Sequence, residues 1–324
     1  MVKRSIRAKL IRWYEGVKRD LPWRRTREPY AIWISEIMLQ QTRVAAVIPY
    51  YERFLARFPN PAALAEASED DLLAMWSGLG YYSRARNLQK AARDVAARGT
   101  FPDSYDVLRA LAGIGDYTAA AIASIAFDRP HAAVDGNVKR VIARLMNDGS
   151  MNFQKAADEL LDRKDPGRWN QAMMELGATV CLPREPLCDQ CPLARNCEAL
   201  KHGSARDLPG KKIKPEAIHL SRTLVIVRRA GGVLLKPGAR VKGFWDLPEG
   251  ADFKKSDGLR LGAKLGEFRH TITHRNYRFT VQEARAERIP EGARWFFESE
   301  ITAVPAKVPL STTAKKAMRL AKDR

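Results

Sequence analysis

Two glycines one residue apart, Gly113 and Gly115, constrain the fold of this 324-residue chain more than any other feature. Neither carries a Cβ, so the turn that contains them can bring backbone N–H groups close to a phosphate. The Ala-rich run Ala119–Phe127 that follows predicts a helix packed closely against its neighbours. Asp135 stands at the start of the next predicted helix, where apolar residues recur at helical spacing over 138–145. The stretch therefore predicts an anion-binding hairpin with a carboxylate beside it.

The charge of the chain indicates a polyanionic partner. Lysine and arginine number 56 against 37 acidic residues, which gives a net charge of +19 and a pI near 10.0. Nucleic acid is the usual partner of such a protein, and the alternative is a charge that serves solubility alone. The sequence begins without an apolar leader, and no run approaches the length of a membrane span. We expect a cytoplasmic protein, nucleoid-associated in a bacterial cytosol, that does not bind membranes.

Four cysteines in the segment 181–197 predict a metal centre. Their spacing is C-x6-C-x2-C-x5-C, formed by Cys181, Cys188, Cys191 and Cys197. Such crowding favours metal binding over disulfides in a reducing compartment. Zinc commonly uses two C-x2-C pairs, and only one is present here. A 4Fe–4S cluster also takes four cysteine ligands, so the spacing leaves both centres open.

A glutamate lies inside an apolar helical segment. The predicted helix Ile32–Gln41 is apolar at most positions, yet it contains Glu36. A carboxylate in such a place is either a structural acid with satisfied hydrogen bonds or a functional acid with a raised pKa. A second loop, Ser77–Arg84, combines glycines with aromatic and basic side chains, a composition that suits stacking on bases. Tyr82 of this loop is equally compatible with a position in the core.

These motifs together resemble a known family. The pattern L-x-G-x-G-x-Y-T followed by V-D-G-N-V resembles the helix-hairpin-helix DNA glycosylases, and Tyr117 indicates their adenine-excising (MutY) branch. The segment Trp33–Thr42 is similar to the catalytic helix of that branch, and the cysteine spacing is similar to that of the iron–sulfur DNA glycosylases. Gly243–Gly250 resembles the Nudix-like C-terminal domain of adenine glycosylases.

The resemblance implies a two-domain organisation. We expect a mainly α N-terminal helix-hairpin-helix glycosylase domain over 1–205, including an iron–sulfur cluster loop at 181–197. A basic linker over 206–219 then leads to a smaller α/β Nudix-like domain over 220–324, where the periodicity becomes strand-like. True Nudix hydrolases bind Mg²⁺ through a cluster of glutamates, and Ala251–Leu265 contains no glutamate. The second domain is therefore expected to recognise a ligand and not to hydrolyse it.

The resemblance also implies an activity. It indicates a monofunctional DNA N-glycosylase of base excision repair, which hydrolyses the N-glycosidic bond of adenine mispaired with 8-oxoguanine or guanine in double-stranded DNA. Glu36 on its apolar helix suits the role of the acid, and Asp135 at a helix N-terminus suits the role of the ionised carboxylate. By family match, Tyr117 and Asn137 position the sugar and Asp135.

Further residues receive roles by the same match. Trp23, Arg24 and Gln171 match positions lining the adenine pocket, and Gln41 and Tyr81 match residues that fill or wedge the duplex. Gly113 and Gly115 are expected at the phosphates. The four cysteines would hold one 4Fe–4S cluster, and the protein is expected to be a monomer. The family reads 8-oxoguanine with a Phe-Ser-His loop, whereas this chain has Ile272-Thr273-His274; Thr273 keeps the hydroxyl of serine.

Three other functions compete with this prediction. Endonuclease III shares the hairpin, the aspartate and the cluster, but it carries at the position of Tyr117 a lysine that forms a Schiff base. A thymine-mismatch glycosylase of the same superfamily is not expected to carry Glu36 or the C-terminal domain. A non-enzymatic DNA-binding protein would account for the charge alone.

Overall fold

The computed structural model describes residues 2–210, 216–239, 243–272, 274–302 and 308–321. The chain divides into two compact units, of which the first comprises Met1–Ala67 and Ser83–Lys212. The second comprises Ser68–Tyr82 and Ile213–Arg324. Residues 68–82, which the sequence analysis placed in the first domain, thus group with the second unit. No helix in the described ranges combines the length and the apolar character that crossing a bilayer requires.

The first unit is built from helices. Those in its described residues are α1 (Val2–Val17), α2 (Pro29–Leu39), α3 (Val44–Arg57), α4 (Pro61–Glu66), α6 (Ser83–Arg98), α7 (Tyr105–Ala110), α8 (Asp116–Phe127), α9 (Gly136–Met146), α10 (Phe153–Leu160), α11 (Pro166–Thr179) and α12 (Glu198–Lys201). Helix α5 (Glu69–Trp76) falls in the second unit. Helix α2 ends two residues earlier than the sequence predicts, because Gln41 takes a left-handed backbone conformation with φ of 57°.

Two glycines of α11 allow three helices to meet around the candidate site. A Cβ on Gly177 would lie 2.6 Å from the Cβ of Asn137, at the start of α9. A Cβ on Gly167 would lie 2.6 Å from the carbonyl oxygen of Ser124 on α8. Neither position can accept a side chain without moving backbone, so these glycines set the close spacing of α8, α9 and α11. Four of the five alanines of α8 are buried, as the prediction of close packing requires.

A hydrophobic core fixes α9 and α11 against α1 and α10. Leu10 of α1, Ile142 of α9 and Leu160 of α10 are all buried in one cluster with Trp169 and Leu176 of α11. Burial of such side chains contributes about 1.5–3 kcal/mol each. The ends of α9 and α11 that carry the site residues are therefore anchored on a rigid base.

The second unit contains a mixed sheet. Its strands are β1 (Ile218–Arg229), β2 (Gly232–Pro237), β3 (Trp245–Asp246), β4 (Arg260–Ile272), β5 (Arg275–Arg285) and β6 (Arg294–Phe297), followed by α13 (Glu298–Thr302) and α14 (Thr312–Leu320). The sheet order within the described residues is β3-β2-β1-β5-β4, and β6 pairs with β2. Strands β1 and β5 are parallel, with Leu224 opposite Val281. This confirms the α/β character predicted for the C-terminal region.

Strands β3 and β4 were not predicted from the sequence, and β4 is the longer of the two. It pairs antiparallel with β5, with Ile272 opposite Arg275. The large apolar residues of β4, Leu261, Leu265, Phe268 and Ile272, stand three or four positions apart, so the sequence lacks the period of two by which strands are recognised. The register also shifts on both sides of Lys264, close to Gly266 with φ of 158°.

Candidate active site

Glu36 is a buried carboxyl group on α2. Its residue is only 5% exposed, and among the described residues its Oε2 atom has no hydrogen-bond partner. Burial raises the pKa of Glu36 to about 7; the hydroxyl of Tyr117 and the charge of Arg24 lower it, and the charge of Asp135 raises it. A carboxyl group that holds its proton near neutral pH can serve as a general acid. Burial and the raised pKa of Glu36 thus support a functional acid over a structural acid with satisfied hydrogen bonds.

Tyr117 lies near Glu36 at the start of α8. Its pKa is raised well above the ordinary value by burial and by the negative charges of Glu36 and Asp135. Its hydroxyl donates a hydrogen bond to Sδ of Met174 at 3.1 Å. Tyr117 is therefore a neutral hydroxyl at physiological pH and has no amine chemistry to offer.

Asp135 caps the N-terminus of α9, as the sequence predicts. Its Oδ1 accepts a hydrogen bond of 2.7 Å from the backbone N–H of Val138. Its Oδ2 accepts one of 2.9 Å from Nδ2 of Asn137. The helix dipole favours a negative charge at this position. Both oxygens of the carboxylate are thus oriented by the first turn of the helix that follows it.

Arg140 continues this network, and sequence reasoning missed it. Its Nη2 donates to Oδ1 of Asn137 at 2.8 Å and to the carbonyl oxygen of Gly177 at 2.7 Å. Its Nε donates to the carbonyl oxygen of Cys181 at 2.8 Å. A continuous path of hydrogen bonds therefore joins Asp135 to the backbone of the first cysteine. The only signal in the sequence is that Arg140 lies three residues after Asn137, on one face of the helix.

The three residues predicted at the adenine pocket line one cavity of about 490 Å³. Trp23 is buried and meets the ring of Tyr51 edge to face, with centroids 5.4 Å apart. Oε1 of Gln171 accepts a hydrogen bond of 3.2 Å from the hydroxyl of Tyr14. The guanidinium of Arg24 lies over the Tyr14 ring, 5.5 Å from its centroid. The cavity thus presents an aromatic wall, an amide and a cation.

The glycine hairpin joins α7 to α8. Gly113 has φ of 79°, and a Cβ there would lie 2.8 Å from the Cβ of Asn87, so the position requires glycine. Gly115 is the N-cap residue of α8 and has open space where a side chain would stand. No side chain caps this helix start, which leaves its N–H groups directed at an approaching anion.

Arg84 is a second residue that the sequence did not reveal. It is buried, and its Nη1 donates at 2.9 Å to the carbonyl oxygens of Ile37 and Met38, and also to that of Gln40. Its Nη2 donates to Oγ1 of Thr42 at 3.1 Å. Arg84 therefore closes the C-terminus of the helix that carries Glu36 and holds the turn that exposes Gln41.

The remaining predicted DNA contacts belong to the second unit. Tyr81 has φ of 48° and is 48% exposed. His274 is exposed at the β4–β5 hairpin, and its carbonyl oxygen accepts a hydrogen bond of 2.9 Å from the N–H of Ile218. Thr273 lies outside the described residues.

The four cysteines line a single pocket together with the buried Arg144. Their thiols form no disulfides, and burial raises the pKa of Cys191 to about 11. Arg144 donates to Sγ of Cys181 at 3.3 Å and to the carbonyl oxygens of Leu182 and Pro183 at 2.7 and 2.9 Å. Across the described ranges, no three cysteine, histidine or acidic side chains converge where a single ion would sit. Four thiols around one pocket match the four cysteine ligands of a 4Fe–4S cluster, and four thiolates can also bind zinc.

Residues 34–164 match the HhH-GPD superfamily of base excision DNA repair proteins. The adenine DNA glycosylase of Mus musculus is 34% identical over an alignment 406 positions long, gaps included, which covers 98% of this chain and 78% of that protein.

Two solved structures resemble part of the chain. A thermostable thymine-DNA glycosylase is 27% identical with a TM-score of 0.58, and the match covers 62% of this chain and 97% of that one. Endonuclease III in a non-covalent DNA complex is 25% identical with a TM-score of 0.54, over 63% of this chain and 98% of that one. The mouse relative, by contrast, matches nearly the whole chain. The chain is therefore a DNA N-glycosylase, and it belongs to the adenine DNA glycosylase family of the HhH-GPD superfamily.

Proposed function

We propose that this protein excises adenine mispaired with 8-oxoguanine or guanine in double-stranded DNA, by hydrolysis of the N-glycosidic bond. The observation that carries the proposal is the buried carboxyl group of Glu36, which has a pKa raised to about 7 by burial. It lies within electrostatic reach of Asp135, whose carboxylate is held at a helix N-terminus. An acid that keeps its proton and a carboxylate that keeps its charge are the pair that this reaction needs.

Each of the two carboxyl groups has its own step. Glu36 donates its proton to a ring nitrogen of adenine, which makes adenine a better leaving group. The bond between C1′ and N9 then breaks, and its electron pair leaves with adenine. The sugar gains positive charge, which Asp135 stabilises, while Tyr117 and Asn137 position the sugar and Asp135. Water adds to C1′ and releases one proton, so the products are free adenine and an abasic site.

The reaction stops at the abasic site. Strand cleavage by a bifunctional glycosylase requires an amine that forms a Schiff base with the sugar. Tyr117 offers a neutral hydroxyl instead, because burial and two nearby carboxylates raise its pKa. We therefore infer a monofunctional enzyme.

Access to the bond requires that adenine leave the duplex. Extrusion of a base costs roughly a few kcal/mol in lost stacking and pairing. The cavity of Trp23, Arg24 and Gln171 would receive the base. By family match, Gln41 would fill the space that the base leaves and Tyr81 would wedge the duplex; each is exposed on a left-handed turn of its own unit. The hairpin of Gly113 and Gly115 would bind a phosphate of the same strand.

The cysteine pocket would hold one 4Fe–4S cluster. Four sulfurs line this pocket, those of Cys181, Cys188, Cys191 and Cys197. The positively charged side chain of Arg144 lines it as well. When bound, the cluster supplies structural cross-linking of this loop and no step of base excision. Arg144 offsets part of the negative charge of the thiolates.

Recognition of 8-oxoguanine is assigned to the β4–β5 hairpin. This assignment rests on the family match of Ile272-Thr273-His274 and on the exposed position of His274. The hydroxyl of Thr273 and the imidazole of His274 can both hydrogen-bond to a base edge. Double-stranded DNA is thus the proposed partner of both units, and the protein would act as a monomer.

Measurement of adenine release under single-turnover conditions tests the proposal. Wild-type protein should release adenine from duplexes with adenine opposite 8-oxoguanine or guanine, and Glu36→Gln should lose this activity while still binding DNA. The exposed Glu66 provides a matched control, and Glu66→Gln should keep the wild-type rate. Release of thymine from a T:G duplex, but no adenine, would instead identify a thymine glycosylase and refute the proposal.

A further inference from the structure

Glu175 of α11 is a buried carboxylate to which the proposed chemistry gives no role. Its side chain is completely shielded from solvent. Its Oε1 accepts hydrogen bonds from Nε of Arg19 at 2.7 Å and from the backbone N–H of Arg19 at 3.3 Å. Its Oε2 accepts hydrogen bonds from Nη2 of Arg19 at 2.7 Å and from Nη2 of Arg24 at 2.8 Å. Although burial raises the pKa of Glu175, these two arginines lower it to about 2, so the group is ionised.

Glu175 is the charged support of Arg24. The side chain of Arg24 is only 13% exposed, so it keeps little contact with water. Besides Glu175, it contacts the carbonyl oxygen of Arg19 through Nη1 at 3.2 Å and the ring face of Tyr14. A charge-assisted hydrogen bond is about twice as strong as a neutral one, so Glu175 contributes the strongest of these restraints. The guanidinium is thereby fixed in the wall of the cavity that also contains Trp23 and Gln171.

We propose that Glu175 is a positioning residue for adenine excision, which holds Arg24 against the extruded base and balances its charge. It acts through Arg24 and touches no reacting atom. The inference rests on the proposed function, because that function places Arg24 against adenine. Glu175 stands four positions after Gln171 on the same helix, and it would thus orient Arg24 in the pocket wall without contacting the base.

The charge balance links Glu175 to the general acid. The groups that act on Glu36 are Tyr117 of α8, Asp135 at the start of α9 and Arg24 in the turn after α1. Of these, Arg24 lowers the pKa of Glu36, and Glu175 offsets its charge. Neutralising Glu175 leaves Arg24 uncompensated. Glu36 would then lose its proton at a lower pH, and the fall in rate at alkaline pH would begin earlier.

A double-mutant cycle tests the proposal in the full-length protein. Single-turnover adenine release is measured against pH for Glu175→Gln, Arg24→Gln and the double variant. We expect Glu175→Gln to slow release on the order of 100-fold, the effect of misplacing a group by about 1 Å. The double variant should be no slower than Arg24→Gln alone, because Glu175 acts through Arg24. The alkaline fall in rate of Glu175→Gln should move to lower pH.

Matched variants keep the test decisive. Glu159→Gln removes an exposed ion pair with Lys3 and should leave rate and pH profile unchanged. If thermal unfolding shows that Glu175→Gln does not fold, the cycle is run with Glu175→Asp, which keeps the charge and shortens its reach. Three results would each overturn the proposal. The first is that the rate losses of the two single variants multiply in the double variant, and the second is that Arg24→Gln releases adenine at the wild-type rate. The third is that a folded Glu175→Gln keeps the wild-type pH profile. A wild-type protein that releases no adenine would instead refute the proposed function itself.

Discussion

Asn137 donates a hydrogen bond of 2.9 Å to the carboxylate of Asp135, two residues before it in the chain. Because the Asn137 amide is itself held by Arg140 at 2.8 Å, its orientation is fixed. Asn137→Ala removes one of the two restraints on Asp135 and leaves the bond from Val138. We expect adenine excision to slow roughly 10- to 100-fold. Single-turnover kinetics would measure the rate, and a gel-shift titration would verify that DNA affinity is retained; an unchanged rate would contradict the role of Asn137.

Glu36 should give the enzyme a characteristic pH dependence. Its pKa is raised by burial from its ordinary value of 4.5 to about 7. As the acid must be protonated to act, the rate of adenine excision should fall as pH rises through about 7. A rate profile measured across this range, with binding kept saturating, would reveal the fall. A rate that rises through the same range would mean that Glu36 acts as a base.

The same raised pKa has a consequence for stability. A carboxyl group with a raised folded-state pKa stabilises the fold fully below its unfolded pKa, and this contribution is lost as pH rises through the folded pKa. For Glu36 the window runs from about 4.5 to about 7, and the loss is roughly 3 kcal/mol. Glu36→Gln cannot ionise, so it should be more stable relative to wild type at pH 8 than at pH 4. Urea unfolding at both pH values would measure the difference, and equal differences would show that the pKa of Glu36 is not raised in the folded state.

The motifs of the site could be read from the sequence because each is local. Asp135 and Asn137 lie within one capping turn, and Gly113 and Gly115 within another. The supporting residues could not be found in this way. Glu175 meets Arg19 across 156 positions, and no short pattern encodes such a contact.

The roles of Arg84 and Arg140 could not be predicted from the sequence either. Arg84 and Arg140 bond mainly to carbonyl oxygens, which every residue type supplies, so the sequence does not mark their partners. Strand β4 was not predicted because its large apolar residues stand three or four positions apart, which is not the period of two typical of a strand. The sequence thus predicts the residues proposed for the chemistry but not the contacts that support them.

The cysteine pocket predicts a specific metal content. Protein purified without oxygen should be yellow-brown and contain about four irons per chain, since four cysteines ligate such a cluster. Cys191→Ser removes one half-buried ligand and should reduce both iron content and thermal stability. Elemental analysis with a visible spectrum would measure the cluster. Stoichiometric zinc without iron would show that the pocket is a zinc site.

Tyr117 predicts that strand cleavage is absent. Wild-type protein should leave an intact abasic site, which breaks only after alkali or heat, and borohydride should trap little covalent adduct. Tyr117→Lys places an amine beside Glu36 in a buried position, where desolvation favours its neutral, nucleophilic form. This variant should gain some lyase activity, seen as trapped adduct on a denaturing gel. Efficient trapping by the wild-type protein would mean that another lysine attacks the sugar.

The β4–β5 hairpin should control discrimination between lesions and not the chemistry itself. The test uses the full-length protein. The rings of Tyr82 and Phe244 lie 3.9 Å apart within the second unit, so removal of the C-terminal region would also remove this contact of Tyr82. Thr273→Ala combined with His274→Ala removes two groups able to hydrogen-bond to a base edge. Each lost base contact is worth about 1–3 kcal/mol, so the preference for adenine opposite 8-oxoguanine over adenine opposite guanine should narrow at least tenfold.

Salt concentration must stay fixed in this comparison, because phosphate contacts make all DNA binding depend on it. Arg275→Gln, in the exposed residue next to His274, is the matched control for loss of charge at the hairpin. It should weaken binding to both duplexes alike and leave their rate ratio unchanged. If the double alanine variant kept the full ratio, other residues would have to read 8-oxoguanine, because Thr273 and His274 are the residues that match the family's reading loop.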